Sequence, residues 1–282
     1  MGKLLKTKKD EKKFITSIVG ILMFVFGVLM IFPFLIMISA AFKYPSDVFV
    51  NPLQLIPERI TLKNYEYLFK YKYFIIWYAN TIKTVCFTII LRTAVVSIAA
   101  YAFAKMKFRG KNFLFLCLIA TMMIVPDTTI VPRYLIYKQI GLLNTHWAII
   151  LPSMFDVFFV FLLRQFFMGI PHEFTEAAII DGCSHFSIYY RIALPLAKPA
   201  MVTMVLFSFL WTWNNYIDPY IFISNRDVQL ISVGLQYFQS EQGANYALQM
   251  AGASMAVIPS IILFIVTQKY FIEGVSSSGV KG

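Results

Sequence analysis

The chain has 282 residues, of which 59% are hydrophobic, 17% aromatic and only 14% charged. A soluble domain has to supply a polar surface, so this composition excludes that class and favours a helical membrane protein. The net charge of +11 comes from basic residues at the ends of apolar runs, a pattern typical of membrane orientation and lipid-headgroup contact, which sets nucleic acid aside as a partner.

Six apolar runs predict an all-α, polytopic membrane protein with six transmembrane helices. The first, at 14–41, follows a basic tail at 1–13. It is too long for the apolar region of a signal peptide, so we expect a retained helix. An external segment at 42–76 separates it from a core at 77–271, and a tail follows at 272–282. The five core spans are predicted at 77–104, 113–131, 147–168, 200–223 and 248–271.

Lysine and arginine predict the orientation. Six lysines precede the first span, and Lys105, Lys107, Arg109 and Lys111 follow the second. Basic residues are concentrated on the cytoplasmic side of a membrane, so both places should be cytoplasmic, although the external segment is itself mildly basic. With six spans, both termini lie in the cytoplasm and the chain crosses the membrane several times.

Among the charged residues inside predicted spans are Arg92, Asp127 and Asp156. A lone charge at mid-membrane costs at least ~2.5 kcal/mol, so Arg92 and Asp156 are predicted to pair within the helix bundle. The pair could be structural, or it could be a gate that opens during transport. Asp127 and Asp156 also keep open the alternative of a proton-coupled secondary transporter.

The loop at 169–198 is more polar than its surroundings. Pro171 suits a helix start, while Glu173 and Glu176 favour the positive end of a helix dipole. Gly182 should end that helix, and Ser184 can cap a second one. The sequence therefore predicts two short helices with a sharp joint. A helix pair lying on the inner leaflet is the alternative at this stage.

The same loop carries a family motif. Glu176, Ala177 and Ala178 are followed by Gly182, with Asp181 beside it, and then by Ile192, Leu194 and Pro195. This pattern, together with the stretches FLLRQFFMGIP, GLLNTHWAIILP and WNNY, resembles the permease subunits of maltose-type carbohydrate ABC importers, in particular the shorter, six-helix subunit. The resemblance implies a MetI-like permease fold and the inner membrane of a bacterium.

The resemblance also implies partners. The 169–198 loop would be the coupling loop that docks on a cytoplasmic ABC ATPase, present in two copies. A second permease subunit would complete the path, and an extracytoplasmic sugar-binding protein would deliver the sugar or oligosaccharide towards the loop near 224–247. ATP and Mg would bind to the ATPase. This chain has no phosphate loop of its own, and we expect no enzyme activity and no metal site.

The predicted fifth span contains a candidate substrate path: Trp213, Asn214, Asn215 and Tyr216. Aromatic rings stack on the C–H faces of sugars, and amides can meet the hydroxyl groups. The alternative is an interfacial aromatic belt with amides that pack helices.

Overall fold

The structure is a computed structural model that describes residues 2–241 and 245–279, with side chains described for 13–239 and 245–268. The described residues are mainly helical, and no strand occurs among them. They form two compact units. The described parts of Met1–Lys70 and Tyr237–Met255 make the first unit, and those of Tyr71–Gln236 and Ala256–Gly282 make the second.

The helices are numbered in chain order. They are α1 Gly2–Ala41, α2 Lys63–Lys70, α3 Lys72–Lys105, α4 Lys111–Thr121, α5 Ile130–Gln139, α6 Trp147–Ser153, α7 Val157–Gly169, α8 His172–Ile180, α9 His185–Ile188, α10 Leu194–Leu196, α11 Lys198–Trp213, α12 Ile217–Phe222, α13 Ile231–Gly234, α14 Tyr237–Glu241 and α15 Tyr246–Gly279. Short 3₁₀ turns occupy Pro45–Asp47 and Pro126–Thr129, and a π-helical turn occupies Tyr189–Ala193.

Four stretches are long and apolar enough to cross a membrane: Lys13–Ala41, Lys72–Lys105, Trp147–Gly169 and Tyr246–Gln268. Two further helix pairs also qualify but are bent. Lys111–Thr121 and Pro126–Gln139 meet at 90°, and His185–Leu196 and Lys198–Trp213 meet at 79°. The number reaches the predicted six when each bent pair counts as one span, although the second pair begins at His185, inside the loop predicted at 169–198.

The third, fourth and fifth predicted spans are interrupted rather than continuous helices. In the third, Val125 has an extended backbone because the following Pro126 disfavours the helical conformation. In the fourth, Asp156 is extended between α6 and α7. In the fifth, α11 ends at Trp213 and a new helix begins only at Ile217. The last helix continues to Gly279, through most of the predicted tail at 272–282.

In the second unit, α3 packs against α7 and α11. Its residues Val96 and Ala100 lie one turn apart, are fully buried, and belong to one apolar cluster with Phe159, Leu163 and Met204. Spacing of three or four residues places such side chains on one face of a helix. This packing joins the C-terminal half of α3 to α7 and α11 in one apolar core.

In the first unit, the end of α1 is bound by the segment that follows it. The side-chain amide of Asn64 donates to the carbonyls of Ala41 and Lys43, at 2.8 and 2.9 Å. These bonds satisfy acceptors that a helix end leaves open. Between Phe14 and Ile38, by contrast, α1 carries a continuous series of exposed apolar side chains. That surface suits lipid or another membrane helix.

Candidate functional site

The 169–198 loop contains the predicted helix pair. Helix α8 ends at a left-handed glycine, Gly182, with φ of 79°. The N–H groups of Gly182 and Cys183 donate to the carbonyls of Ile179 and Ala178, both at 2.9 Å, which is the usual glycine ending of a helix. Ser184 then caps α9 by accepting a hydrogen bond from Ser187 N at 3.3 Å. The predictions for Gly182 and Ser184 are confirmed.

The motif residues divide between a buried and an exposed side of the loop. Ala178 is buried in the α3–α7 cluster, whereas Glu176, Ala177, Asp181 and Gly182 are exposed. Large apolar side chains are also exposed on the loop: Phe174, Ile179, Ile180, Phe186 and Tyr190. An apolar surface of this kind next to charged residues is typical of a protein-binding face.

The loop is attached to α3 on both sides of the exposed helix α8. Before α8, the Lys105 ammonium donates to the Ile170 carbonyl at 2.6 Å. After α9, the Tyr189 and Ser97 hydroxyls share a buried hydrogen bond of 2.7 Å. The later motif residues Ile192 and Leu194 pack on the same core, and Pro195 lies at the start of α10. Movement of the loop would therefore act on α3.

One open cavity of about 880 Å³ is bordered by Pro126 at the break in the third span, by Pro152 near the end of α6, and by residues 214–216 at the break in the fifth span. Its lining residues are Pro126, Asp127, Thr129, Arg133, Pro152, Leu210, Trp211, Asn214, Asn215, Tyr216, Ile217 and Asp218. Non-helical backbone is tolerated at membrane depth where it lines a cavity, and broken helices commonly build transport sites. The cavity is thus the candidate transport path of this chain.

A polar network shapes one wall of the cavity. Arg133 of α5 forms a 3.0 Å ion pair with Asp218 of α12, and its guanidinium lies 5.2 Å from the centre of the Phe222 ring. The Asn215 amide donates to the other Asp218 oxygen at 3.0 Å. The cavity therefore offers aromatic faces together with amide and carboxylate groups. Such a set can stack on a sugar ring and bind its hydroxyl groups.

The structure brings most of the predicted path residues together, but not all of them. Asn214, Asn215 and Tyr216 line the cavity, and so does Asp127, which was predicted only as a charge inside the membrane. Trp213 does not: it is buried, and its indole N–H donates to the Ala256 carbonyl at 3.0 Å. Trp211, two residues earlier, takes the lining position. The sequence analysis did not single out Arg133, which lies just beyond the predicted third span, or Asp218, a charge inside the predicted fifth span.

The predicted Arg92–Asp156 ion pair does not form. Asp156 caps α7 by accepting from Phe158 N at 2.9 Å, and Arg92 donates from Nε to the Ser153 carbonyl at 2.5 Å. Ser153 ends α6, so the two charges stabilise the two helix ends at the break in the fourth span. A carboxylate favours a helix N-terminus and a cation favours a C-terminus, which is why these partners replace direct pairing.

Comparisons with known proteins agree with these features. A family model described as binding-protein-dependent transport system inner membrane component matches residues 12–272. The chain is 34% identical over 255 residues to the arabinooligosaccharides transport system permease protein AraQ of Halalkalibacterium halodurans, covering 89% of this chain and 91% of that protein. It is 32% identical over 253 residues to the melibiose/raffinose/stachyose import permease protein MelC of Bacillus subtilis, covering 89% and 91%.

A solved structure gives the same result for the fold. A bacterial ABC transporter involved in the import of the acidic polysaccharide alginate contains a chain that superposes with a TM-score of 0.82 at 25% identity. The match covers 92% of this chain and 97% of that chain. A second structure, the alginate ABC transporter in complex with a pentasaccharide-bound periplasmic protein, matches at a TM-score of 0.68 and 15% identity, which supports the fold alone.

Proposed function

Because the chain belongs to the family of binding-protein-dependent transport system inner membrane components, we propose that it acts in an ATP-driven importer of a sugar or oligosaccharide. In this importer it forms half of the translocation path. The observation that carries the proposal is one cavity with aromatic and polar walls, bordered by the helix breaks at Pro126 and at 214–216. Family membership favours this function over the proton-coupled alternative.

The partners follow from the family. A second permease subunit supplies the other half of the path, two copies of a cytoplasmic ABC ATPase supply the energy, and an extracytoplasmic binding protein supplies the sugar. ATP and Mg bind to the ATPase. The chain itself is a multi-pass protein of the bacterial inner membrane and works as a transporter component, without catalytic residues of its own.

The loop at 169–198 is proposed as the coupling loop. Its exposed face joins the Glu176 carboxylate to large apolar side chains, and the left-handed Gly182 fixes the angle between its two helices. In this proposal Glu176 contacts the ATPase, while Ala177 permits its close approach. Ala178, Ile192 and Leu194 hold the loop on the core. Displacement of the loop by the ATPase then reaches α3 through Ile170 and Tyr189.

For the path, we propose that Asn214, Asn215 and Tyr216 face the passing sugar together with Trp211. Asp127 and the Arg133–Asp218 pair border the same cavity. Uptake of one labelled sugar in the assembled complex, in competition with a panel of unlabelled neutral and acidic oligosaccharides, identifies the substrate. A complex that hydrolyses ATP with a binding protein yet moves no saccharide of the panel would contradict the sugar assignment.

The orientation proposed from the basic residues places both termini in the cytoplasm and the 224–247 loop outside. Arg226 offers a clean test, because no other lysine or arginine lies between Lys198 and Lys269. Trypsin added to spheroplasts should produce a membrane-bound fragment that begins at Asp227. If trypsin makes this cut in inverted vesicles but not in spheroplasts, the proposed orientation is wrong.

A further inference from the structure

Residues 224–236 carry little regular structure, yet their main chain is bound almost residue by residue. Only α13, Ile231–Gly234, is helical within this stretch. Buried or constrained main-chain groups need hydrogen-bond partners, and in a non-helical segment those partners must come from elsewhere. Here they are side chains from two other parts of the second unit.

The N-terminal end of α3 supplies one set of partners. The Trp77 indole N–H donates to the Arg226 carbonyl at 2.8 Å. The Asn80 amide donates to the carbonyls of Asp227 and Gln229, at 2.9 and 3.2 Å. The fully buried Thr81 hydroxyl accepts from Ile231 N at 2.9 Å and donates to the Trp77 carbonyl at 2.7 Å.

The connection between α5 and α6 supplies the second set. Asn144 has a left-handed backbone, with φ of 60°, and its side-chain oxygen accepts from Ser224 N, Ser224 Oγ and Asn225 N at 2.7 to 2.9 Å. His146 Nε2 lies 2.9 Å from the Val228 carbonyl. Burial lowers the pKa of His146, so the ring is neutral near pH 7 and donates from Nε2.

Internal contacts complete the arrangement. The buried Gln229 side chain donates to the Ile223 carbonyl at 2.8 Å and accepts from Leu230 N at 3.0 Å. Gly234 lies so close to Trp77 that an added Cβ would overlap the indole ring. The exposed residues of the stretch are polar: Ser224, Asn225, Asp227 and Gln236. The segment thus presents a polar surface in one fixed shape.

The far end of the stretch is tied to the cavity. Ser232 Oγ donates to the Asn215 carbonyl at 2.7 Å, and the Tyr216 hydroxyl donates to the Gln236 side chain at 2.7 Å. Both partners line the candidate path. A protein that binds the exposed face therefore meets a segment whose shape is set at one end by α3 and at the other by the path.

We propose that Trp77, Asn80, Thr81, Asn144 and His146 are positioning residues that hold residues 224–236 in the shape that the sugar-loaded binding protein recognises. The inference rests on the proposed function, which places this segment outside and gives the chain a binding-protein partner. A segment already fixed in its bound shape loses less conformational entropy on association. The positioning residues should therefore set the affinity for the binding protein and leave the maximal rate of hydrolysis unchanged.

Thr81 gives the sharper test, because valine matches threonine in shape and removes only the hydroxyl. In Thr81→Val the buried Ile231 N–H loses its acceptor, and we expect the half-saturating concentration of binding protein to rise by about tenfold. Thr81→Ser keeps the hydroxyl and should stay near wild type. Thr203→Val is the matched control, because it removes only a hydroxyl that donates to Pro199 within α11.

Asn144 gives a second test that is independent of the buried site. Asn144→Gly tolerates the left-handed backbone but removes the acceptor, so the half-saturating concentration should rise by about threefold to tenfold. Asn144→Asp keeps an acceptor oxygen, so its half-saturating concentration of binding protein should be close to that of the wild type. Trypsin should cut after Arg226 faster in Thr81→Val and Asn144→Gly than in the matched variants.

The readouts are the maximal rate and half-saturation of binding-protein-stimulated hydrolysis, with the cleavage rate at Arg226, in the reconstituted complex. The inference is overturned if both variants keep wild-type half-saturation, or if only the maximal rate falls. If no binding protein stimulates the wild-type complex, the proposed function itself is wrong and the inference falls with it.

Discussion

The loop at 169–198, proposed above as the coupling loop, and residues 224–236 are attached towards opposite ends of the same helix, α3, and they differ in how they are held. The coupling loop forms its own helical hydrogen bonds, packs Ala178 on the core, and exposes large apolar side chains. Residues 224–236 form little helix and take their main-chain partners from the side chains of other elements. The loop is held together mainly by its own helices, and residues 224–236 are held mainly by the side chains of other elements.

This difference suits two tasks. A loop that transmits movement has to keep its internal shape while its position changes, and short helices with a defined joint provide that. A surface that selects a partner gains affinity from being fixed before the encounter. Substitutions inside the coupling loop should therefore break the link between hydrolysis and uptake, while substitutions around 224–236 should weaken binding. Variants in each segment can therefore separate a loss of coupling from a loss of binding.

The largest effect is expected for Gly182→Val. No atom lies within 4 Å of the position that a Cβ would occupy, so the cost is the left-handed backbone itself, ~1–2 kcal/mol or more for a β-branched residue. The joint should change its angle, and sugar uptake per ATP hydrolysed should fall by at least about tenfold. Gly182→Asn, which tolerates this conformation, is the control. Wild-type coupling in the valine variant would contradict the proposed role of the joint.

The next effect is expected for Glu176→Lys. The residue is exposed, so the free energy of unfolding should change by no more than about 0.5 kcal/mol. Docking of the ATPase should weaken severalfold, measured as the amount of ATPase that co-purifies at increasing salt concentration. Glu66→Lys, an exposed charge reversal on α2, is the matched control. If both variants lose the same amount of co-purifying ATPase, the effect comes from net charge, and a direct contact of Glu176 with the ATPase is contradicted.

A smaller effect is expected for Gly234→Ala, which lies within residues 224–236. The new methyl group would overlap the Trp77 ring, and overpacking of this kind costs ~1–3 kcal/mol. Amide hydrogen exchange in 224–236 should accelerate while exchange in the coupling loop stays unchanged. Gly20→Ala in α1 is the control, because an added Cβ there meets nothing within 4 Å. Faster exchange in both segments would show that they are not held independently.

The smallest effect is expected for Asp156→Ala, which changes neither segment. Loss of the α7 cap should lower the free energy of unfolding by ~1 kcal/mol, measured as a lower thermal midpoint of the purified complex. Uptake per folded complex should not change. Asp156→Asn can still cap the helix and should match wild type. If the asparagine variant instead loses uptake, the charge itself takes part in transport, as a gate would.

The sequence predicted the features that depend on neighbouring residues. Six spans and the helix pair around Gly182 follow from local composition, turn chemistry and capping. The break before Pro126 also had a local signal in the proline, but the break at 214–216 did not. Arg133 and Asp218 lie 85 residues apart, so their pairing requires the fold. Trp211 and Trp213 point about 200° apart on a helix, and only the neighbours decide which ring faces the cavity.

The cavity formed by the helix breaks has a further consequence for how the cell makes this protein. Its open side exposes interrupted helices, and lipid tails cannot satisfy the main-chain groups that such breaks leave free. In the proposed path a second permease subunit covers this side, so a chain synthesised alone would expose it to the bilayer. We therefore expect the cell to need the two subunits in matched amounts, assembled soon after insertion.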